Sequence, residues 1–213
     1  MAVDWGTIAS LATAGGTLVL AVSTFASVRS ANRAARAAER SLMVGLQPLL
    51  VPSRLQDPDQ KVFWIDNKHV VLPGGSGIAE VEGESGTVYL AMSVRNAGNG
   101  IAVMRSWRVW PEQLTTQDRP DLDGFRRQTR DLYVAPADVG FWQAAFRDPE
   151  DPQRAGVVQA VKSRQAVTVD VLYGDYEGGQ RLISRFLMQP RGDTGTWLVT
   201  VARHWNLDRP DPR

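Results

Sequence analysis

Between Trp5 and Val28 the chain runs for 24 residues, WGTIASLATAGGTLVLAVSTFASV, without a charged side chain, and the twelve that follow, RSANRAARAAER, carry four arginines. A hydrocarbon core about 30 Å thick needs roughly 20 residues of helix at 1.5 Å rise, so the uncharged stretch has the length of a membrane span. Its make-up is small and mildly polar: 14 apolar residues, many of them Ala, beside seven Ser or Thr and three Gly. Hydroxyls can bond back to the preceding helical turn. Small residues four apart, as at Gly6, Ser10 and Ala14 or at Ala12 and Gly16, suit close helix packing in lipid, so self-association through this segment is one expectation.

The flank decides between spans, signals and soluble helices. A cleaved secretory signal wants Lys or Arg ahead of its apolar core, and MAVD offers an acid instead. Arg29, Arg33, Arg36 and Arg40 all follow the segment, so the positive-inside rule places the C-terminal side in the cytoplasm and the N-terminus outside. They fall at i, i+4, i+7 and i+11, one stripe of a helix. Ala and Arg are strong helix formers, and no Gly or Pro intervenes between Phe25 and Val44. A transmembrane helix over 5–28 is therefore expected to run on as a juxtamembrane basic helix over 29–46, stopping at Gly45 and Pro48. A coiled coil would need a longer apolar seam than Leu42 and Leu46 supply. The expected location is the inner (plasma) membrane, single-pass, with the lipid bilayer as one partner.

Charge outside the flank is balanced. Of 24 basic and 23 acidic residues, the stripe, Glu39 and Asp4 account for four and two, leaving 20 and 21. No nucleic-acid partner is expected from so neutral a chain. The absence of cysteine excludes a disulfide framework and thiolate chemistry.

From Gln47 onward the apolar period changes to two. VYLAMSVRN aligns Val88, Leu90, Met92 and Val94; AVTVDVLY aligns Val167, Val169, Val171 and Tyr173; TWLVTVARHW aligns Trp197, Val199, Val201 and then Trp205. LISRFLM, GIAVMRSWRVW and PLLVPSRL add further strands. NAGNG, GDYEGG and RGDTG are turn signals. The fold expected for 47–213 is mainly β, an antiparallel β-sandwich of immunoglobulin-like or related type, with about seven short strands. Helix is expected only as a turn near Asp121 to Arg130 and a short segment around Pro152 to Ser163. Residues 56–86 and 111–126 read as the loosest stretches.

Two segments carry a resemblance. VRNAGNGIA, Val94 to Ala102, resembles a strand followed by an N-x-G-x-G-x-A corner, with Asn96, Gly98 and Gly100 as its fixed positions. VLYGDYEGGQRLISRF, Val171 to Phe186, resembles a Y-x-D-x-x-G hairpin, with Tyr173, Asp175 and Gly178. Both are similar to features of a group of uncharacterised bacterial proteins in which a span and a short Arg/Ala helix precede a β-sandwich. The resemblance implies a membrane-anchored sandwich and no catalytic residue. The corner's Gly pair is expected to let the chain reverse tightly while Asn96 bonds loop donors.

No catalytic, cofactor-binding or metal site is expected. His69 and His204 lack ligand spacing such as H-E-x-x-H and read as strand histidines with bonded rings. Asp170, Asp175 and Glu177 gather at one hairpin and, with His204, carry the alternative of a membrane-tethered enzyme. Trp107, Trp110, Phe141, Trp142 and Trp205 are core or hot-spot aromatics. The leading expectation is a membrane-anchored protein whose cytoplasmic sandwich is a protein-interaction or scaffolding module; an extracytoplasmic ligand-binding sandwich is the third.

Overall fold

The computed structural model describes residues 5–83, 86–192 and 195–209, and the chain divides into two compact units, 1–45 and 46–213. The first is a single helix, α1, Trp5–Gly45. It runs unbroken through the expected boundary between span and basic flank and ends at the expected glycine. Ser10, Thr13, Thr17 and Ser23 donate their hydroxyls to the carbonyls of Gly6, Ala9, Thr13 and Val19 at 2.6–3.0 Å. These bonds satisfy each hydroxyl inside the helix, which suits it to an apolar surrounding.

The second unit is mainly antiparallel β. Its strands are β1 (Leu50–Pro52), β2 (Gln60–Phe63), β3 (His69–Leu72), β4 (Ser76–Glu82), β5 (Thr87–Asn96), β6 (Ala102–Trp110), β7 (Arg126–Val134), β8 (Val139–Phe146), β9 (Val167–Gly174), β10 (Arg181–Pro190) and β11 (Trp197–Asn206). A 3₁₀ turn at Leu122–Gly124 and a helix α2, Arg154–Lys162, fall where short helical segments are expected. β2 and β3 form a separate hairpin, and the other nine strands share one sheet. Along it the order is β8, β5, β4, β11, β10, β9, β6, β7. β1 continues β4 along the edge of β5 opposite β8, because Val94 and Arg95 pair with β1 and β8 at once.

This continuous path curls into a half-barrel. Trp107 of β6 meets Trp142 and Phe146 of β8 edge-on, with ring centroids 5.9 and 5.3 Å apart, so strands far apart in the order face each other across the core. The facing edges of β7 and β8 are bridged by side chains: Gln128 Nε2 donates to the Gln143 carbonyl at 2.8 Å and Arg130 to Gln143 Oε1 at 3.3 Å. Val157, Ala160 and Val161, at i, i+3 and i+4 of α2, join the same core. The nine-stranded hydrogen-bonded path thus describes one curled sheet.

The β2–β3 hairpin lies on the sheet's other face, burying Val62, Trp64 and Leu72 against Ile78, Tyr89 and Ala91. β5 is therefore covered on both faces: Val88, Leu90, Met92 and Val94 point to the inner core as the alternation predicts, and Tyr89 and Ala91 to the outer one.

Three expectations need correction. Of the stretch 56–86, residues 84 and 85 lie outside the described residues, and the rest is not loose, since it holds β2, β3 and β4. Glycine serves close approach there: a Cβ at Gly77 would lie 2.8 Å from Met188 Cε and 2.9 Å from the Ala91 carbonyl, and one at Gly74 2.3 Å from the Arg54 carbonyl. Trp205 does not continue the inward face of β11. A register shift between Arg185 and Phe186 of β10, facing Arg203 and Val201 of β11, leaves Ala202 unpaired and sets Trp205 opposite Ile183. Such a bulge transfers every later side chain to the other face. The segment 111–126 is irregular apart from the 3₁₀ turn, yet it is pinned: Leu114 N donates to Thr168 Oγ1 at 3.0 Å and Thr168 Oγ1 to the Glu112 carbonyl at 2.7 Å.

The start of β7 is tied to the loop before α2 by an ion pair between Arg126 and Asp151. The Arg126 guanidinium holds the Asp151 carboxyl below its usual value, despite partial burial that acts the other way. A depressed carboxylate stabilises the fold above its unfolded value, and that contribution disappears as pH falls through the folded one. Arg126→Gln should lower stability at neutral pH by about 1 kcal/mol after allowance for solvent screening. In urea titrations the gap from wild type should close below about pH 4; a gap constant with pH would show that the ion pair is not its source.

Candidate functional site

The basic stripe of α1 is fully solvent-facing. Arg29, Arg33, Arg36 and Arg40 are exposed, and among the described residues none forms an ion pair. At 3.6 residues per turn the four lie within an arc of roughly 60°. In the apolar segment before them, Leu11, Leu18, Val22 and Phe25 are 62–68% exposed. The helix is long and apolar enough to cross a membrane.

In the body, the corner at Asn96, Gly98 and Gly100 does more than reverse the chain. Asn96 is wholly buried. Its Oδ1 accepts from Leu49 N and Gly98 N, each at 3.0 Å. Its Nδ2 donates to the carbonyls of Gly100 at 2.6 Å and Val134 at 3.0 Å. Its main chain exchanges bonds with Asp138 and Ala137. Neither glycine has a positive φ. Their lack of Cβ serves contact: a Cβ at Gly98 would lie 2.2 Å from the Gln47 carbonyl, and one at Gly100 1.8 Å from that of Leu46. The corner is the seat of residues 46–49, the first after α1.

The hairpin motif separates into two jobs. Asp175 closes the turn, with Oδ1 accepting from Gly179 N at 2.7 Å, and Gly178 adopts φ +80°, the left-handed conformation that glycine tolerates. Tyr173 points into the interior instead. Leu50 N donates to its hydroxyl at 3.2 Å, and Ser184 Oγ lies 2.8 Å away. Ser184 Oγ is in turn 2.7 Å from His204 Nδ1. Burial pushes the Tyr173 hydroxyl up to about 12, so it stays protonated and able to donate. Ser184 is completely buried, and His204 is partly exposed. His69 is a strand histidine as expected, its ring 5.8 Å from that of Phe63 and its Nδ1 3.4 Å from the Asn67 carbonyl.

The carboxylates of the hairpin do not converge. Asp170 is fully buried and paired with Arg185, whose Nε and Nη2 donate to its two oxygens at 2.7 and 2.8 Å. Trp110 Nε1 adds a third donor at 3.2 Å, and Arg185 reaches the Thr116 carbonyl at 3.0 Å. The Arg185 guanidinium also lies 4.9 Å from the Trp205 ring. Glu177 is exposed at the turn. Among the described residues no group of three His, Asp or Glu side chains is placed to hold a metal.

The buried pair was legible but unread. Asp170 and Arg185 lie symmetrically about the turn centred between Glu177 and Gly178, so the hairpin register itself makes them directly cross-strand partners. The Tyr173–Ser184–His204 chain had no such signal, because it depends on the bulge in β11.

Neither a protein-family model, nor a curated protein, nor a solved structure matches the chain.

Asn96→Ala should cost about 2–4 kcal/mol, since it strands backbone groups on three segments. Asn96→Asp should cost nearly as much because it removes both donated bonds. Tryptophan fluorescence in urea, on the full chain in detergent, reads both. Arg185→Ala should cost about 3–5 kcal/mol by leaving Asp170 buried and unpaired, whereas Asp170→Leu with Arg185→Met should recover most of that loss. If the double variant is no better than the single one, the cost lies in packing against Trp110 and Trp205.

Proposed function

We propose that this chain is a single-pass, membrane-anchored protein of the inner (plasma) membrane, N-terminus outside, whose β body serves on the cytoplasmic side as an interaction or scaffolding module. The observation that carries the proposal is the junction at Val28 and Arg29. An exposed, uncharged helix of spanning length passes without a break into a one-sided arginine stripe. The body's neutral balance gives the rest of the chain no competing orientation signal.

Support for an interaction role is the outer face of the β2–β3 hairpin, where Phe63, Ile65 and Val71 are 53%, 84% and 56% exposed. Clustered apolar groups of this kind are a common feature of protein-binding surfaces. The layering of that hairpin on β4, β5 and β8 is also what supports a sandwich-related description of the body.

A reporter active only in the cytoplasm, fused after Arg213, should be active, and the fusion should stay with membranes through an alkaline carbonate wash. Activity only from a reporter that works outside the cytoplasm would invert the topology and favour an extracytoplasmic ligand-binding body.

A further inference from the structure

The arginine stripe and the large side chains of the apolar segment are one feature. Leu11, Leu18, Val22 and Phe25 follow each other at spacings of seven, four and three, and Arg29 comes four later. On a helix these positions share the narrow arc that Arg33, Arg36 and Arg40 continue. The opposite side of the basic flank is alanine, at positions 31, 34, 35 and 38. Along a single line the surface changes from bulky apolar to cationic. Where it changes, Phe25, Val28, Arg29, Asn32, Arg33 and Arg36 border an open groove of about 410 Å³.

Orientation in a membrane needs only a number of positive charges near the end of the span, not their alignment. Alignment is unfavourable by itself. Arg29 and Arg33, Arg33 and Arg36, and Arg36 and Arg40 stand at the i+3 and i+4 spacings where like charges destabilise a helix. No described acidic side chain pairs with them. An anion lying across the stripe removes that repulsion. Guanidinium groups bind phosphate oxygens through paired N–H donors, and several are within reach of one phosphate or of neighbouring ones.

We propose that this face binds an anionic phospholipid, its phosphate held by Arg29, Arg33 and Arg36 with Asn32 beside them and its acyl chains lying along Phe25, Val22 and Leu18. The dimensions agree. One leaflet of a 30 Å core is about 15 Å deep, or roughly ten helical residues, the distance from Leu18 to Val28. A second copy of the chain is a poor occupant, because parallel pairing along this line sets arginine against arginine. The proposal rests on the membrane-spanning reading above.

The test uses the full chain in vesicles of phosphatidylcholine with a minor fraction of phosphatidylglycerol. The protein is extracted in mild detergent and its retained phospholipids are measured by mass spectrometry. Wild type should retain phosphatidylglycerol well above its bulk proportion, unaffected by millimolar inorganic phosphate. The comparison variant combines Arg33→Ala with Ala34→Arg and Arg36→Ala with Ala35→Arg, which keeps charge and composition but moves two arginines off the stripe to the opposite side of the helix. It should keep wild-type topology and carbonate resistance while preference falls roughly five-fold for each arginine moved. Equal retention by the variant overturns the proposal in favour of charge number alone. Displacement of the lipid by inorganic phosphate overturns it in favour of a free-anion site, and efficient disulfide pairing of Phe25→Cys chains overturns it in favour of self-association. If carbonate strips wild type from the vesicles, the spanning reading falls and this proposal with it. If wild type stays embedded with phosphatidylglycerol at bulk proportion, only this proposal falls.

Discussion

Asn96 has no exposed surface, so any of its polar atoms left unpaired would carry a full desolvation cost, and the body is arranged so that none is. Its side chain bonds Leu49, Gly98, Gly100 and Val134, and its main chain bonds Ala137 and Asp138. Those partners belong to the entry segment, the β5–β6 corner, the end of β7 and the β7–β8 connection. Through side chain and main chain together, this one residue ties the entry segment to the corner, the end of β7 and the β7–β8 connection. The glycines at 98 and 100 follow from the same constraint, because the entry segment comes too close for a Cβ at either position. Curling the sheet this way lets Trp107, Trp142 and Phe146 fill a common core from opposite ends of the strand order.

The helix and the body solve the same problem by different means. In the body, nearly every long apolar side chain of β5, β9 and β10 finds protein neighbours, and the wholly buried Asp170 carboxylate is paired with Arg185. In α1, Leu18, Val22 and Phe25 find none. Burying a Leu, Val or Phe side chain is worth about 1.5–3 kcal/mol, so an uncovered row of them in water would be expensive. The hydroxyls that bond back along the helix reduce the opposite cost, that of polar groups in hydrocarbon. Both features favour lipid as the solvent of this segment.

Local pattern carried the sequence reading far where one period governed a whole element. The length of α1, its stop at Gly45, the inward faces of β5 and β9 and the short α2 all follow from unbroken periodicity. It failed where long-range contact sets the local meaning of a residue. Gly74, Gly75 and Gly77 read as slack, yet they are glycines because other chain segments touch them. RRQTRDLYV reads as polar, since β7 buries only Leu132 and Val134 fully. Trp205 reads as inward because nothing in ARHWN announces the extra residue at Ala202. Asn96, Gly98 and Gly100 were visible as a corner, but not as the seat of residues 46–49.

The entry segment joins these two solutions. Immediately after Gly45 the chain is held by the glycine contacts at Leu46 and Gln47, then by Asn96 at Leu49, then by Tyr173 at Leu50 and by pairing of β1 with β5 through Pro52. Tyr173 is itself positioned through Ser184, which contacts His204, so strands β9, β10 and β11 all bear on a three-residue strand too short to persist alone. A three-residue strand with so many buried polar partners is unusual economy for a mere linker. β1 contacts β5, which is buried along nearly its whole length, and through Tyr173 and Ser184 the well-buried strands β9 and β10. The first strand of the body is thus held by buried polar contacts as well as by its pairing with β5.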